Sequence, residues 1–288
     1  MAKILFAGCG YIGSQLGMQL AAVGHQCFGL RRQCNQLPEA IQPLCGDVTQ
    51  PETLTTLPAN LDYVVVTLTP GGFDEASYQR AYVQGLKNLV AALKSQGQTL
   101  QRLIFVSSSA VYHQNAGEWV DEQSVAEPRG FSGKAMLEAE KVAAASDYPS
   151  TCVRFSGIYG RGRQRLVDWA LEGVTCAETP PHYSNRIHQQ DCVGVLRHLL
   201  ELDMRGGPVE TLYLASDPNP AGFGEILNWI RQQLDSDQAD PQQGIEKRLR
   251  AGSKRCNSQR LQASGYQFKY PDYQVGFTEL LGQIKQQD

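Results

Sequence analysis

A glycine pattern at the beginning of the chain constrains its fold most strongly. Gly8, Gly10 and Gly13 are spaced Gly-x-Gly-x-x-Gly and directly follow a predicted strand at Lys3–Ala7. In this pattern Gly8 permits a tight turn, Gly10 lets a pyrophosphate approach the backbone, and Gly13 lets the next helix pack on the strand. Apolar residues then recur at helical spacing up to Gly24. This strand, loop and helix context favours a dinucleotide cradle over a chance glycine turn.

The composition narrows the class of protein. The chain has 288 residues, is 42% hydrophobic and carries a formal net charge of -3, which suits one large α/β domain or a domain with a smaller lobe. Such a weak net charge disfavours non-specific binding to nucleic acid. We find no apolar run of membrane-spanning length and too few apolar residues before Gly8 for a signal-peptide core. We therefore expect a cytoplasmic protein.

The cysteines predict neither a metal site nor a disulfide framework. The chain has eight of them without a Cys-x-x-Cys pair, and several lie inside apolar runs. We therefore expect reduced thiols that pack as small core residues, and no metal. The cysteines are Cys9, Cys27, Cys34, Cys45, Cys152, Cys176, Cys192 and Cys256.

Strand and helix patterns alternate through the first half of the chain. Short apolar runs predict buried strands at Gln26–Leu30, Tyr63–Leu68, Leu103–Ser107 and Thr151–Phe155, and helical patterns at 77–93 and 135–145 separate the later ones. This alternation predicts an α/β fold with a doubly wound parallel (Rossmann) sheet. The pattern loosens beyond residue 165, so we expect a dinucleotide-binding domain at 1–165. Residues 166–288 then form a smaller substrate lobe interleaved with the last elements of the sheet.

The end of the second predicted strand indicates the preferred cofactor. A residue about 20 positions past the glycines meets the adenosine ribose, and a carboxylate there favours NAD. This chain has Arg31 and Arg32 instead, and guanidinium groups suit the 2′-phosphate of NADP. We predict NADP, with NAD as the alternative if the pair is only a solvated turn. Asp47 could accept a hydrogen bond from the adenine amino group, or simply stabilise a turn.

Four further segments have the order and spacing of a known family. They are Phe105–Tyr112, Arg154–Arg163, Asn185–Asp191 and the tail Arg255–Tyr273. Together with the glycine loop, they make nearly the whole chain resemble an extended short-chain dehydrogenase/reductase of the NAD-dependent epimerase/dehydratase family. The resemblance implies an oxidoreductase that acts on a sugar nucleotide or a similar hydroxylated small molecule.

The resemblance also assigns roles to individual residues. Ser108 matches the serine that binds the substrate hydroxyl or carbonyl, and Lys134 matches the lysine of the family's Tyr-x-x-x-Lys motif. The tyrosine position is Gly130, so the usual proton-transfer group is absent. Tyr112 is our candidate for a third catalytic residue. The predicted cofactor-binding set is Gly8, Gly10, Tyr11, Ile12, Gly13, Arg31, Arg32, Asp47, Thr67 and Lys134.

Structural roles compete with these assignments. The serines around Ser108 could form an ordinary strand-end turn, Lys134 could be a solvated helix residue, and Tyr112 could be a core aromatic residue. Other candidate acids are Tyr159, His113 and His188. We favour a structural role for His188, with Asp191 as the N-cap of the following helix.

Two function classes remain open at this stage. The first is the NADP-dependent enzyme, with a small-molecule substrate, neither nucleic acid nor membrane as partner, and a homodimer as an option. The second is a dinucleotide-binding regulatory protein without turnover, which the missing tyrosine favours. The basic run Lys247–Arg250, with Lys254 and Arg255, could bind a nucleotide diphosphate or form a solvated face.

Overall fold

The computed structural model describes residues 1–236 and 252–285, so the basic run Lys247–Arg250 lies outside the described residues. The chain forms two compact units, each built from separate stretches of sequence. The first unit comprises Met1–Val111, Ala126–Arg154 and Val193–Tyr213, and the second comprises Tyr112–Val125, Phe155–Cys192 and Leu214–Asp288. The division of function between 1–165 and 166–288 stays a prediction.

Strands and helices alternate in the first half of the chain, as the sequence predicts. The strands are β1 Lys3–Ala7, β2 Gln26–Arg31, β3 Gln42–Cys45, β4 Tyr63–Val66, β5 Arg102–Ser108, β6 Glu118–Val120, β7 Ser150–Phe155, β8 Gly157–Tyr159, β9 Tyr183–Ser184, β10 Arg186–His188, β11 Leu212–Ala215, β12 Ala221–Gly222 and β13 Lys254–Cys256. The helices are α1 Tyr11–Ala22, α2 Glu75–Tyr78, α3 Gly85–Ser95, α4 Phe131–Ala144, α5 Arg165–Leu171, α6 Gln189–Met204, α7 Phe223–Gln233, α8 Gln259–Ala263 and α9 Tyr273–Lys285.

Seven strands form one parallel sheet in the order β11-β7-β5-β4-β1-β2-β3, with helices flanking it. The predicted doubly wound fold is therefore confirmed. Ala7 at the end of β1 is in register with Leu30 of β2 on one side and Val66 of β4 on the other. The chain order reverses at β1, and this reversal opens a crevice beyond the carboxyl ends of the strands, where ligands of such folds bind.

The predicted helix over residues 77–93 spans α2, a π-helical segment at Gln79–Gln84, and α3. Asp74 caps its beginning, because its side chain accepts a hydrogen bond from the backbone N–H of Ser77. Segments of π-helix widen a helix locally and often occur at functional sites. None of the helices in the described part of the chain combines the length and apolar character that a bilayer span requires.

The second unit has a hydrophobic core of its own. Buried apolar side chains of α5, α7 and α9 pack together, with Leu166, Ile230 and Phe277 at least 97% buried. Three two-stranded ladders, β10 with β8, β12 with β9, and β13 with β6, lie in the same unit.

The structure corrects the expectation that all cysteines are reduced. Cys34 and Cys45 form a disulfide, with their Cα atoms 5.1 Å apart. Cys45 ends β3, and Cys34 lies in the turn that follows β2; these strands pair side by side. Their separation in the sequence gave no signal of this proximity. Five of the remaining cysteines are buried, as predicted, and Cys176 is partly buried.

The structure also corrects the role of Asp191. Helix α6 begins at Gln189, so Asp191 lies in its first turn and is not its N-cap. The Asp191 carboxylate instead accepts hydrogen bonds from the Tyr266 hydroxyl and from the backbone N–H groups of Lys269 and Tyr270. It therefore anchors the loop between α8 and α9, a long-range contact that local pattern could not reveal.

Candidate functional site

The glycine loop between β1 and α1 is held in a tight, defined turn. Gly8 has a φ of +79°, and a Cβ there would lie 2.9 Å from the Cα of Leu68. The Gly8 carbonyl accepts hydrogen bonds from the Thr67 hydroxyl at 3.0 Å and from the backbone N–H of Gly10 at 2.6 Å. The loop is thereby fixed to the end of β4, and only glycine suits the first position.

The other two glycines of the loop differ in their surroundings. A Cβ on Gly10 would meet only the Gly8 carbonyl oxygen, at 3.8 Å, so the space beside Gly10 is open. A Cβ on Gly13 would lie 3.2 Å from the Thr67 hydroxyl oxygen, because α1 packs closely on β1 and β4. Gly10 is the N-cap of α1 and provides no side-chain cap. The first N–H groups of α1 therefore point to a space that an anion can occupy.

A cavity of about 680 Å³ lies in the first unit beside this loop. It extends past the carboxyl ends of β1, β2, β3 and β4, where the sheet order reverses. A volume in this range suits a nucleotide cofactor. Its lining residues are Gly8, Cys9, Gly10, Leu30, Arg31, Arg32, Gln33, Gly46, Asp47, Val48, Thr49, Leu68, Thr69, Gly71, Ser77, Arg80 and Ala81.

The charged lining of this cavity is mainly basic. Arg31, Arg32 and Arg80 line it together with one carboxylate, Asp47. Burial raises the pKa of the Cys9 thiol, so this lining group is neutral at physiological pH. The Asp47 carboxylate accepts hydrogen bonds from the backbone N–H and the hydroxyl of Thr49 at 2.9 and 2.8 Å. The cavity therefore favours a ligand with several negative charges.

The cavity contains half of the predicted cofactor-binding set. Gly8, Gly10, Arg31, Arg32 and Asp47 line it, whereas Tyr11, Ile12, Gly13, Thr67 and Lys134 are absent from its lining. Thr67 instead stabilises the glycine loop through its hydrogen bond to the Gly8 carbonyl, and Gly13 allows α1 to pack closely on the sheet.

Sequence reasoning missed several lining residues. Leu68, Thr69 and Gly71 follow β4, and the ends of parallel strands share one edge of the sheet, so a strand-end search could have found them. Arg80 lies in the π-helical segment, and its guanidinium donates a hydrogen bond to the Ser77 hydroxyl at 3.2 Å. No local pattern distinguishes Arg80 from a solvated helix residue.

Helix α4 brings the predicted Lys134 to the turn that follows Ser108. Ser108 is the last residue of β5, and its hydroxyl accepts a hydrogen bond from the backbone N–H of Ala110 at 3.2 Å. A Cβ on Gly133 would clash with the Ala110 carbonyl oxygen, so α4 packs directly on this turn. Lys134 is exposed in the first turn of α4.

Gly130, which the sequence resemblance matches to the tyrosine position, is the N-cap of α4. A Cβ on Gly130 would meet only the Ser132 hydroxyl oxygen, at 4.0 Å. Its φ of -83° is accessible to any L-residue. The local backbone therefore tolerates a side chain at this position.

A buried ion pair fixes α4 against the sheet. The Arg154 guanidinium of β7 donates two hydrogen bonds to the Glu140 carboxylate of α4, at 2.8 and 2.6 Å. The Ser107 hydroxyl of β5 donates to the same carboxylate at 2.5 Å. This bidentate geometry supplies the acceptors that a buried guanidinium requires. It fixes the helix that bears Lys134 to the strand that ends in Ser108.

The other candidate acids lie in the second unit. The Tyr112 hydroxyl donates to the Asp121 carbonyl oxygen at 2.7 Å, and its catalytic role stays a prediction. Burial raises the pKa of Tyr159 far above its usual range. Burial also lowers the pKa of His188 to about 4, so this imidazole is neutral at physiological pH. His113 has a buried Nδ1 without a hydrogen-bond partner among the described residues.

Within the described residues, no group of three or more potential ligands could hold a metal ion.

Comparison with known proteins identifies relatives across the whole chain. A family model described as NAD(P)H-binding matches residues 8–169, a range that contains every residue lining the cavity. The chain is 36% identical to a structure described as an NAD-dependent epimerase/dehydratase from Methylobacillus flagellatus, with 99% of each chain covered and a TM-score of 0.80. It is also 26% identical to Protein YeeZ of Escherichia coli (strain K12), over 94% of this chain and 97% of YeeZ.

More distant structures share the fold. The human epimerase family protein SDR39U1, solved with NADPH, is 19% identical, with 96% of this chain and 98% of that chain covered and a TM-score of 0.76. MoeE5, solved with UDP-glucuronic acid and NAD, is 17% identical, with full coverage of both chains and a TM-score of 0.76.

Proposed function

This chain belongs to the NAD(P)H-binding proteins of the NAD-dependent epimerase/dehydratase family, and from that premise we propose that it is an NADP-dependent epimerase, dehydratase or reductase. Its proposed substrate is a sugar nucleotide or a similar hydroxylated small molecule. The observation that carries the proposal is the basic cavity beside the glycine loop. The missing tyrosine is the main departure from the family pattern.

The cavity supports NADP over NAD through its charge. NADP has one phosphate more than NAD, on the ribose 2′-oxygen, and guanidinium groups bind phosphate through forked, charge-assisted hydrogen bonds. Arg31 and Arg32 follow β2, where the adenosine ribose of a dinucleotide lies in this fold. The first turn of α1 and the open space beside Gly10 suit the pyrophosphate. Asp47, which also lines the cavity, would then accept a hydrogen bond from the adenine amino group.

The proposed catalytic residues follow from the same arrangement. A bound nicotinamide cofactor accepts or supplies a hydride. Ser108 would donate a hydrogen bond to the substrate oxygen, and the Lys134 ammonium would bind the nicotinamide ribose and favour a negative charge beside it. Lys134 has no tyrosine four residues before it to activate. Tyr112 is the proposed source of the proton, through a hydroxyl that now donates to Asp121.

Structural relatives suggest the substrate class. MoeE5 was solved with UDP-glucuronic acid, which is a sugar nucleotide. For this chain, a sugar nucleotide is our proposal from the family. A cytoplasmic location likewise remains an expectation from the sequence.

A regulatory protein without turnover is the second candidate. The observation that favours it is Gly130, because the family's proton-transfer residue is missing while the cofactor cavity is retained. The two candidates share NADP binding and differ in hydride transfer.

The first experiment is a titration of the purified chain with NADPH and NADH, followed by fluorescence. We expect tighter binding of NADPH, and we expect the variant with Arg31→Asp and Arg32→Asp to prefer NADH. A control with Lys141→Asp and Arg205→Asp makes the same charge change on exposed residues outside the cavity lining. Equal binding of both cofactors by the unmodified chain would contradict the assignment of NADP.

The second experiment separates the enzyme from the regulatory protein. An epimerase or dehydratase returns the hydride to its substrate, so the conversion of a panel of sugar nucleotides is followed by NMR with NADP present. NADPH oxidation is followed with the same panel and with simpler carbonyl compounds to detect a reductase. Turnover that Ser108→Ala and Lys134→Met both abolish would support the enzyme. Tight NADPH binding without hydride transfer to any compound of the panel would favour the regulatory protein.

A further inference from the structure

The Cys34–Cys45 disulfide joins two segments that both line the cofactor cavity. Residues 31–33 line the cavity directly before Cys34, and residues 46–49 line it directly after Cys45. The two cysteines are 11 positions apart in the sequence, so the bond encloses the turn after β2 and the whole of β3. A covalent bond at this place therefore acts on one wall of the cavity.

The strand that ends in Cys45 gains much of its order from this bond. β3 is the edge strand of the seven-stranded sheet, beside β2. Three of its four residues are exposed, and the fourth is partly buried. Exposed residues contribute little apolar burial, so such a segment opens more readily than a central strand. The disulfide opposes this opening by restricting the conformations that the enclosed residues can adopt.

Two charged residues near the disulfide are held in place by other contacts. The Arg31 carbonyl oxygen accepts a hydrogen bond from the Gly46 N–H at 3.2 Å, and the Arg31 guanidinium donates to the Cys9 carbonyl oxygen at 3.5 Å. The backbone N–H of Asp47 donates to the Thr53 hydroxyl at 2.9 Å. These hydrogen bonds do not involve the disulfide, so they persist when it opens.

Arg32 depends on the disulfide more directly. The last pair of the β2–β3 ladder joins Arg31 to Cys45, and Arg32 lies just beyond it, exposed and two positions before Cys34. The ladder therefore fixes the chain before Arg32, and the disulfide fixes the chain after it. When the disulfide opens, the second restraint is lost, and the Arg32 guanidinium must be ordered each time that it binds a phosphate.

The disulfide is accessible to a reductant. Cys45 is exposed and Cys34 is partly buried, whereas five of the six other cysteines are buried. Thiol–disulfide exchange requires such access, and exposed disulfides are commonly the labile or regulatory ones. Disulfides of cytosolic proteins are usually transient and redox-sensing, which fits the cytoplasmic location expected from the sequence.

We propose that Cys34 and Cys45 form a redox-modification site that controls the affinity for NADPH through the position of Arg32. In the reducing direction, a thiolate of a dithiol reductant attacks the Cys45 sulfur and releases the Cys34 thiolate, which takes up a proton. The second thiol of the reductant then displaces the Cys45 sulfur from the mixed disulfide. The chain gains two thiols, and the reductant becomes a disulfide. This regulation rests on the proposed function, since it acts on the proposed NADP site.

The first test compares the full chain, oxidised with glutathione disulfide, with the same chain reduced by dithiothreitol. Alkylation and peptide mass spectrometry should find Cys34 linked to Cys45 in the oxidised chain and two alkylated thiols in the reduced chain. In a fluorescence titration, NADPH should bind about tenfold more weakly to the reduced chain, which corresponds to ordering roughly one more residue. NADH should bind to both forms within about twofold, because it has no 2′-phosphate for Arg32.

Matched variants locate the effect. Cys34→Ser with Cys45→Ser should bind NADPH like the reduced chain, with or without dithiothreitol. Arg32→Ala should bind NADPH equally in both redox states, whereas Arg31→Ala should bind it more weakly and keep the difference between the states. Cys176→Ser, at a cysteine outside the disulfide, controls for the other thiols and should respond like the unmodified chain.

Thermodynamic linkage provides a second measurement. If the oxidised chain binds NADPH about tenfold more tightly, saturating NADPH must shift the thiol–disulfide equilibrium of the pair toward the disulfide by the same factor. Glutathione buffers of graded redox ratio, with and without NADPH, measure this shift. A disulfide that only stabilises the fold would show no shift.

The outcomes distinguish the inference from the proposed function. The inference is overturned if the oxidised chain lacks the bond between Cys34 and Cys45, if reduction leaves NADPH binding unchanged, or if reduction weakens NADPH and NADH alike. Any of these results, obtained with tight NADPH binding, leaves the proposed function intact. If neither redox form binds NADPH, the proposed function itself fails, and this inference fails with it.

Discussion

Two arginines on strands, one in each unit, are almost equally buried and have different surroundings. Arg154 is 4% exposed and Arg186 is 7% exposed. Within the described part of the chain, both oxygens of Glu140 accept from Arg154, whereas a single hydroxyl, that of Ser184, accepts from Arg186. Burial alone therefore does not show how a buried charge is satisfied; the acceptors that surround it do.

The largest expected effect is on the paired arginine. Glu140→Ala would leave Arg154 buried without its carboxylate, and we expect the free energy of unfolding to fall by about 3–5 kcal/mol. Urea denaturation followed by circular dichroism measures this change. Glu138→Ala, on the same helix, removes an exposed ion pair with Lys87 at 3.7 Å and an exposed hydrogen bond from Gln79, and should cost less than about 1 kcal/mol. Equal losses in the two variants would mean that the buried ion pair of Arg154 contributes no more to stability than an exposed one.

The second prediction concerns Lys134, whose side chain is exposed in the first unit and can bind a ligand. Gly130→Tyr should place a phenol one helical turn before Lys134, in open space, and restore the family's acid/base pair. Activity with NADPH and a carbonyl or sugar-nucleotide substrate should rise about 10²- to 10⁴-fold. Gly130→Phe is the control, since it adds the ring without the hydroxyl. Strong turnover by the unmodified chain that Gly130→Tyr reduces would show that another residue already transfers the proton.

The third prediction tests whether the backbone N–H groups at the start of α1 bind the pyrophosphate of a dinucleotide. Gly10→Val should fill the open space beside the loop and weaken dinucleotide binding about 10- to 100-fold, because N–H contacts to the pyrophosphate are lost. Cofactor titration measures the loss, and circular dichroism should show an unchanged fold. Gly282→Val, at an exposed glycine with no atom within 4 Å of its Cβ, controls for the added side chain. If the Gly10→Val variant unfolds, Gly10 is required for the backbone turn and not specifically for cofactor binding.

The smallest expected effect concerns the His188 imidazole, which is buried in its neutral form and therefore needs no charged partner. Burial lowers the pKa of His188 to about 4, below its value in the unfolded chain. The unfolded state therefore binds the proton first, and stability falls as the pH drops from about 6.5 to 4, by about 1–2 kcal/mol. Urea denaturation across this range measures the slope, and His188→Asn should flatten it. An unchanged slope would assign the acid sensitivity to other groups.

How much the sequence could predict depended on the range of the interactions involved. The strands, the glycine loop and the arginines after β2 were predicted, because short apolar runs and turn residues act within one element or between consecutive ones. The start of α4 was missed by four residues, since Gly130 is an unremarkable N-cap without its structural context. Arg80 was missed because a basic residue on a helix usually faces solvent.

The sequence by itself determined the alternation of strands and helices in the first half of the chain, the glycine loop between β1 and α1, and the absence of a tyrosine four residues before Lys134. Only the tertiary structure decided that Cys34 meets Cys45, that Glu140 pairs with Arg154, and that the Ser184 hydroxyl accepts from Arg186. The physical reason is that loop turns and hydrophobic periodicity are encoded locally, whereas the partner of a buried charge comes from a distant part of the chain. That partner is known only once packing has brought the two together.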